Sequence, residues 1–162
     1  MKVLNLMVHR VKKCRAEDSL NRAAQLMWDG DCGLVPVVSE DSRPIGIITD
    51  RDICMAAYTR GLPLQSMNVL SVMTREVISC RPDDDILFAE NLMRKNEIRR
   101  LPVIDADGRL IGIISLNDIV REALRERRMD QARGIGDAEV IETLATIGTP
   151  RITVPVDRAA AA

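Results

Sequence analysis

Two short stretches hold the side chains most suited to chemistry. Gly46-Ile47-Ile48-Thr49-Asp50-Arg51-Asp52 returns as Gly112-Ile113-Ile114-Ser115-Leu116-Asn117-Asp118. In each, an apolar run stops at a hydroxyl residue, and an aspartate follows three positions later. Runs of β-branched Ile favour a buried strand. The hydroxyl then stands where a strand hands over to a helix. There it can cap the helix, while an early Asp suits the positive end of the helix dipole. The first-turn N–H groups of such a helix also attract anions. One copy alone reads as a well-capped strand-to-helix junction. No G-x-S-x-G, Walker A or H-E-x-x-H motif and no Cys/His pair accompanies either copy, so the residues do not suggest an enzyme.

The two copies belong to an internal repeat. A shift of 66 positions, from 46 to 112, also superposes Cys14-Arg15 on Cys80-Arg81, Leu26-Met27 on Leu92-Met93 and Pro36-Val37 on Pro102-Val103. Residues 14–53 and 80–119 share 16 identities in 40 ungapped positions. Upstream, Leu4, Met7 and Val11 face Leu70, Met73 and Val77. A repeat of this kind is the first thing to settle about a fold.

The elements that position these residues follow from spacing. Asp18 and Ser19 cap a helix over 20–28, with Leu20, Ala23, Ala24, Met27 and Trp28 at helical spacing; Gly30 ends it. Residues 34–38 form a strand around Pro36, which marks either an edge or a site where the ladder is interrupted. Residues 40–44 turn, 45–48 form the buried strand, and 50–59 continue as a helix broken at Arg60-Gly61-Leu62-Pro63. Residues 60–70 link the halves. The second half repeats the order: a helix opening at Pro82-Asp83-Asp84-Asp85 and running through 94, a strand over 101–104, a turn at 105–108, a strand over 111–114 and a helix from 117 to about 129. Residues 10–14 read as a weak first strand. Each half is thus β-α-β-β-α, an α/β (α+β) arrangement with three strands, and two halves face to face would bury the open sheet faces. The expected division is 1–62, 63–128 and a C-terminal extension, 129–162. In that extension a helix is expected over 138–147, a strand over 149–156, and a frayed end at Arg158 and four alanines.

Composition narrows the function classes. At 162 residues, with 46% hydrophobic and 29% charged residues, the chain has core enough for one domain or two half-domains. One Trp, one Tyr and one Phe leave an aliphatic core and no platform for stacking bases. A net charge of −1 advertises no polyanion partner. Arg121, Arg125, Arg127 and Arg128 alternate with Glu122 and Glu126, as on a solvated helix. Nucleic acid is therefore not an expected partner. Cys14, Cys32, Cys54 and Cys80 form no CxxC pair, and His9 is the single histidine, so neither a metal site nor a disulfide scaffold is expected. There is no apolar run of 18 residues and no signal peptide, and a cytoplasmic, membrane-free protein is expected.

The duplicated Gly-Ile-Ile-Thr-Asp-Arg-Asp and Gly-Ile-Ile-Ser-Leu-Asn-Asp, each preceded by a Leu-Val-Pro-Val or Leu-Pro-Val strand, resembles a tandem pair of CBS domains, a Bateman module. The resemblance covers roughly residues 1–125. It implies a pseudo-twofold pair of repeats with two clefts between them, where adenine nucleotides (AMP, ADP, ATP) or S-adenosylmethionine-like ligands bind. It also implies homodimerisation and a regulated protein partner, with no cofactor required. Asp52 and Asp118 would accept the two ribose hydroxyls, a carboxylate being the stronger acceptor. Thr49 and Ser115 would lie near the ribose and first phosphate. Arg99 and Arg100, with Arg51, would bind phosphates in the Thr49/Asp52 cleft. Gly33-Leu34 stands where Arg99-Arg100 stands in the other half. The Ser115/Asp118 cleft would therefore lack its basic pair, and either Lys12, Lys13 and Asn117 compensate or that cleft takes a less charged ligand. Tighter, more salt-sensitive nucleotide binding is accordingly expected at Thr49/Asp52. Residues 11–13 (Val11 and Lys12 among them) and 77–79 (Val77 and Ile78 among them), with Ile47 and Ile113 nearby, would line adenine slots, core packing being the alternative for each aliphatic. The competing reading is a structural dimerisation scaffold with empty clefts.

Overall fold

The Ser19 hydroxyl accepts the Arg22 N–H at 3.2 Å and opens helix α1 (Leu20–Asp29). The computed structural model describes residues 1–128 and 136–148. Leu20, Ala23, Leu26 and Met27 are buried along one stripe of α1. Trp28, expected in that stripe, is instead 88% exposed. It follows Ala24 on the edge of the stripe, where it flanks a cavity of about 550 Å³ between α1 and the next helix.

Strands β1 (Leu34–Val38) and β2 (Pro44–Thr49) pair antiparallel, and helix α2 (Asp50–Arg60) follows directly. Gly61, at φ 62°, closes α2 in the left-handed conformation that glycine adopts without strain. The second half repeats this with α3 (Ile86–Asn96), β3 (Arg100–Ile104), β4 (Leu110–Ser115) and α4 (Leu116–Arg128). Both hairpins carry a register shift at the same repeat position, Val37/Val38 and Val103/Ile104.

The expected third strand of each half shrinks to a single bridge. Cys14 pairs parallel with Val37, its N–H donating to the Pro36 carbonyl and its carbonyl accepting the Val38 N–H. The next donor back along that ladder would be residue 36, and proline has none. Cys80 repeats the arrangement with Val103 around Pro102. The ladder therefore stops, and residues 11–13 and 77–79 continue without it. Cys14 and Cys80 themselves are buried. Burial, with Asp18 and Asp84 nearby, pushes both thiols up to about 12, so they pack as small apolar groups.

Each half's core is completed by the segment leading into the other half. Val3, 0% exposed, and Met7 pack with Ile86, Met93, Leu101, Ile114 and Ile119 of the second half. Met67 and Val69 pack with Leu20, Val35 and Ile48 of the first. Short 3-10 turns, Val3–Asn5 and Val69–Ser71, seat these residues. Val8 then bridges Ile113, and Thr74 bridges Ile47. Glycine makes the approach possible: a Cβ on Gly46 would lie 2.6 Å from Met73 Sδ, and one on Gly112 would lie 2.8 Å from Met7 Sδ. The lead segments thus cross, which ties two small half-cores into one pseudo-twofold body.

Helix α5 (Asp137–Gly148) lies against α3 and α4, with Val140 buried and Arg94 bridging Glu142 at 2.7 Å. The expected helix there is present. The expected strand over 149–156 and frayed end lie outside the described residues. Under α5 sits Glu90, 2% exposed, whose carboxylate oxygens find no hydrogen-bond partner among the described residues. Burial raises its pKa, and nearby Glu139 raises it further against the opposing Arg94. The folded state therefore holds this proton more tightly than the unfolded state. Stability is undiminished below the unfolded pKa and falls as pH rises through the folded one. Glu90→Gln should remove that loss. It is expected to raise the melting temperature at neutral pH, by roughly 1–3 kcal/mol of stability, and to change little at acid pH. A thermal melt of both proteins at the two pH values checks this.

Candidate functional site

Each strand-to-helix junction closes on itself by the same hydrogen bonds. Asp52 Oδ2 accepts the Thr49 N–H at 2.9 Å and the Thr49 hydroxyl at 2.7 Å, while Thr49 Oγ1 accepts the Asp52 N–H at 3.2 Å. Asp118 and Ser115 repeat this at 2.9, 2.6 and 3.2 Å. The hydroxyl proton is thus committed to the aspartate. What remains is acceptor capacity: one lone pair on each hydroxyl and Oδ1 of each carboxylate. A ligand that donates two hydroxyls suits that pair better than an anion does. The carboxylates differ in one respect. Asp118 Oδ1 is paired with the Arg121 guanidinium, whereas the repeat equivalent of Arg121 is Met55.

The two junctions open into two separate cavities where the halves meet. The first, of about 570 Å³, is bounded by Val11 and Lys12 of the lead segment, by Asp31, Cys32 and Leu34 of the first half, and by Arg100, Ile113, Ser115, Asn117 and Asp118 of the second. The other, of about 480 Å³, is bounded by Ile78, by Leu34, Ile47, Thr49 and Arg51, and by Arg99, Arg100 and Pro102. Each cavity therefore draws on both halves and on the lead segment that crosses between them. Of the residues singled out from the sequence, all but Lys13, Asp52 and Val77 border one of these two cavities; Asp52 stands behind Thr49, held by the bonds just described.

The stopped ladders give both cavities a second kind of wall. Among the described residues, the backbone groups of Lys12, Lys13, Val77, Ile78 and Ser79 enter no hydrogen bond. Of these, Lys12 borders the first cavity beside Val11 and Ile113, and Ile78 borders the second beside Ile47, placing backbone donors and acceptors next to apolar groups as recognition of a flat heterocycle requires. Pro36 and Pro102 leave the Lys12 and Ile78 carbonyls without the donor that would continue each ladder.

The distribution of positive charge differs from the sequence expectation. Arg100 borders both cavities, and so does its repeat equivalent Leu34. The Ser115 cavity further contains Arg10, which the sequence does not single out, and Arg121, which its spacing assigns to a solvated helix face. It is therefore not poor in basic side chains. Comparing strand residues alone, Gly33-Leu34 against Arg99-Arg100, omits the cations that arrive from the lead segment and from α4. The signal was available: position 10 faces position 76 under the 66-residue shift, and Arg121 lies one helical turn beyond Asp118. Lys13 turns away, its Nζ donating to Ser42 Oγ at 3.2 Å. Among the described residues, no group of three or more His, Cys, Asp or Glu could hold a metal ion. His9 is exposed at the surface.

Comparison with known proteins agrees with this construction. The CBS domain family profile matches residues 3–58 and 69–125. Homoserine O-acetyltransferase of Methanohalobium evestigatum is 34% identical over 119 residues, which are 74% of this chain but 23% of that protein. The chain thus spans about a quarter of the length of that relative. The crystal structure of the CBS domain pair of protein MJ0100, in complex with 5′-methylthioadenosine and S-adenosyl-L-methionine, superposes with a TM-score of 0.71 at 25% identity, covering 78% of this chain and 98% of that one. CBSX2 in complex with AMP gives a TM-score of 0.69 at 28% identity, with the same coverage. The repeat, the crossed halves with their two cavities, and these likenesses make one assignment: the chain belongs to the CBS domain family and carries a tandem pair of its domains.

Proposed function

We propose that the protein is a regulatory module that binds adenine nucleotides or an adenosyl ligand between its repeats. It then signals through a change of shape or of affinity for a protein partner. The observation that carries this reading is the pairing of an acceptor site, Ser115 with Asp118 at one cleft and the Thr49 hydroxyl at the other, with unpaired lead-segment backbone over an apolar floor. Ribose hydroxyls match the first and adenine matches the second. Asp118 and Asp52 serve as ribose acceptors, Asp52 becoming accessible as its bond from Thr49 rearranges. Thr49, Ser115 and Asn117 lie beside the sugar and first phosphate, and Arg51, Arg99, Arg100 and Lys12 beside the phosphates. Val11, Val77 and Ile78 flank the base. The module catalyses no reaction and needs no cofactor. All four cysteines are free and no described helix is long and apolar enough to cross a membrane, consistent with work in a reducing cytoplasm. Melting the protein with AMP, ATP and S-adenosylmethionine tests the reading. A ligand at a hundredfold excess over its Kd stabilises by about 2.7 kcal/mol. An unchanged melting temperature with all three leaves the empty dimerisation scaffold.

A homodimer is part of this proposal. Ile53, Ala56 and Ile119 are buried within the chain's own cores. The apolar groups left on the surface of α2 and α4 are Met55, Tyr58 and Leu124, with Tyr58 82% exposed. Light scattering at micromolar concentration is expected to give twice the chain mass, and Tyr58→Glu with Leu124→Glu to halve it. A wild-type mass of one chain contradicts the dimer.

A further inference from the structure

The 66-residue shift superposes one cleft on the other, and their charges do not match. Arg10 and Lys12 at the Ser115 cleft are replaced by Glu76 and Ile78 at the Thr49 cleft. The Ser115 cleft brings four basic side chains (Arg10, Lys12, Arg100, Arg121) against two carboxylates, Asp31 and Asp118. In the Thr49 cleft Arg51, Arg99 and Arg100 face Asp50, Glu76 and Glu97, a balanced set. A cleft narrowed between two halves strengthens whichever field it carries. Arg121, 74% exposed, reaches from solvent to pair with Asp118, whose own side chain is 12% exposed. A ribose taking Asp118 would release that guanidinium at the mouth of the same cleft.

We infer that the two clefts take different chemical classes of adenosyl ligand. The Ser115 cleft is the polyphosphate site, and the Thr49 cleft takes a ligand with little or no net negative charge. This rests on the adenosyl-binding reading above and reverses the preference expected from Arg99-Arg100 alone. Arg100, bordering both cavities, is available to either occupant, so phosphate bound in one cleft draws on a guanidinium the other would use.

Calorimetric titration of the full chain with ATP and with adenosine tests the division. The variants are Arg10→Glu/Lys12→Glu, Arg10→Gln/Lys12→Gln as a milder pair, and Glu76→Arg. Residues 10, 12 and 76 are all exposed, so none of these changes disturbs a core. The acidic pair is expected to weaken ATP by about tenfold or more, the loss of one charge-assisted hydrogen bond or its equivalent. The milder pair should give a smaller loss in the same direction. In both, adenosine, which carries no phosphate, should lose much less than ATP does. Glu76→Arg should give the Thr49 cleft a measurable ATP affinity, seen as a second equivalent bound. If ATP and adenosine bind the wild type but both basic-residue variants bind ATP as tightly, the division is wrong and the adenosyl reading stands. If neither compound binds the wild type, the adenosyl reading and the division fall together.

Discussion

Val3→Asp is expected to unfold the second half of the molecule, and Val69→Asp the first. Each valine is fully buried, yet each is buried in the half that its own segment does not lead into. Val3 is anchored there by its N–H donating to the Asp84 carbonyl at 2.9 Å, and Leu4 by donating to the Pro82 carbonyl at 2.9 Å. Val69 is anchored by donating to the Asp18 carbonyl at 2.8 Å. An aspartate at either site meets no partner, and a buried unpaired charge costs roughly 4 kcal/mol or more. That is a large share of the stability of a domain this size. Hydrogen exchange resolves where the damage falls. For Val3→Asp, protection should be lost first in β3, β4 and α3, with β1 and β2 retaining theirs longer. Loss beginning in α1 and β1 instead would mean that the lead segments do not cross.

Replacing the two aspartates is expected to remove ligand binding while leaving a folded protein. Asp52→Ala and Asp118→Ala each delete a carboxylate that also closes a capping box, so about 1 kcal/mol of stability goes with each. The effect on affinity should be larger. Two hydroxyl-to-carboxylate bonds at roughly 1.5–3 kcal/mol apiece amount to at least a hundredfold. A cycle separates the ribose role from a general loss of shape. The 2′-deoxy form of the nucleotide should bind the wild type more weakly than the ribonucleotide does. In the aspartate variant the two forms should bind alike, because the acceptor they differ in using is gone. An undiminished preference for the ribose form in the variants would place the 2′-hydroxyl elsewhere.

Much of this organisation is legible in the chain because the repeat says everything twice. Gly46 and Gly112, Pro36 and Pro102, and the Thr49–Asp52 and Ser115–Asp118 pairs each mark a local event that depends on near neighbours in sequence. Helix α1 and the hairpins follow from capping, spacing and turn residues in the same way. What escaped depends on contacts between distant segments. No local pattern in residues 3–7 says which half's core they enter, since Val3 and Val69 are equally apolar. The third strands shrink to single bridges because the bond that Pro36 and Pro102 withhold is owed to a distant segment, which no local pattern marks. Trp28 was misplaced because helical spacing marks a stripe's centre better than its edge. The charge of the Ser115 cleft was misjudged because Arg10 and Arg121 reach it from a lead segment and a helix, while the comparison was confined to one strand.

The central claim is that the clefts bind an adenosyl group through its ribose, and titration calorimetry of the full chain with ATP addresses it most directly. The account predicts saturable binding that is competed by adenosine and lost together in the Asp52→Ala/Asp118→Ala double variant. No saturable heat up to millimolar ATP, adenosine, AMP or S-adenosylmethionine, or binding that survives in the double variant, would contradict it.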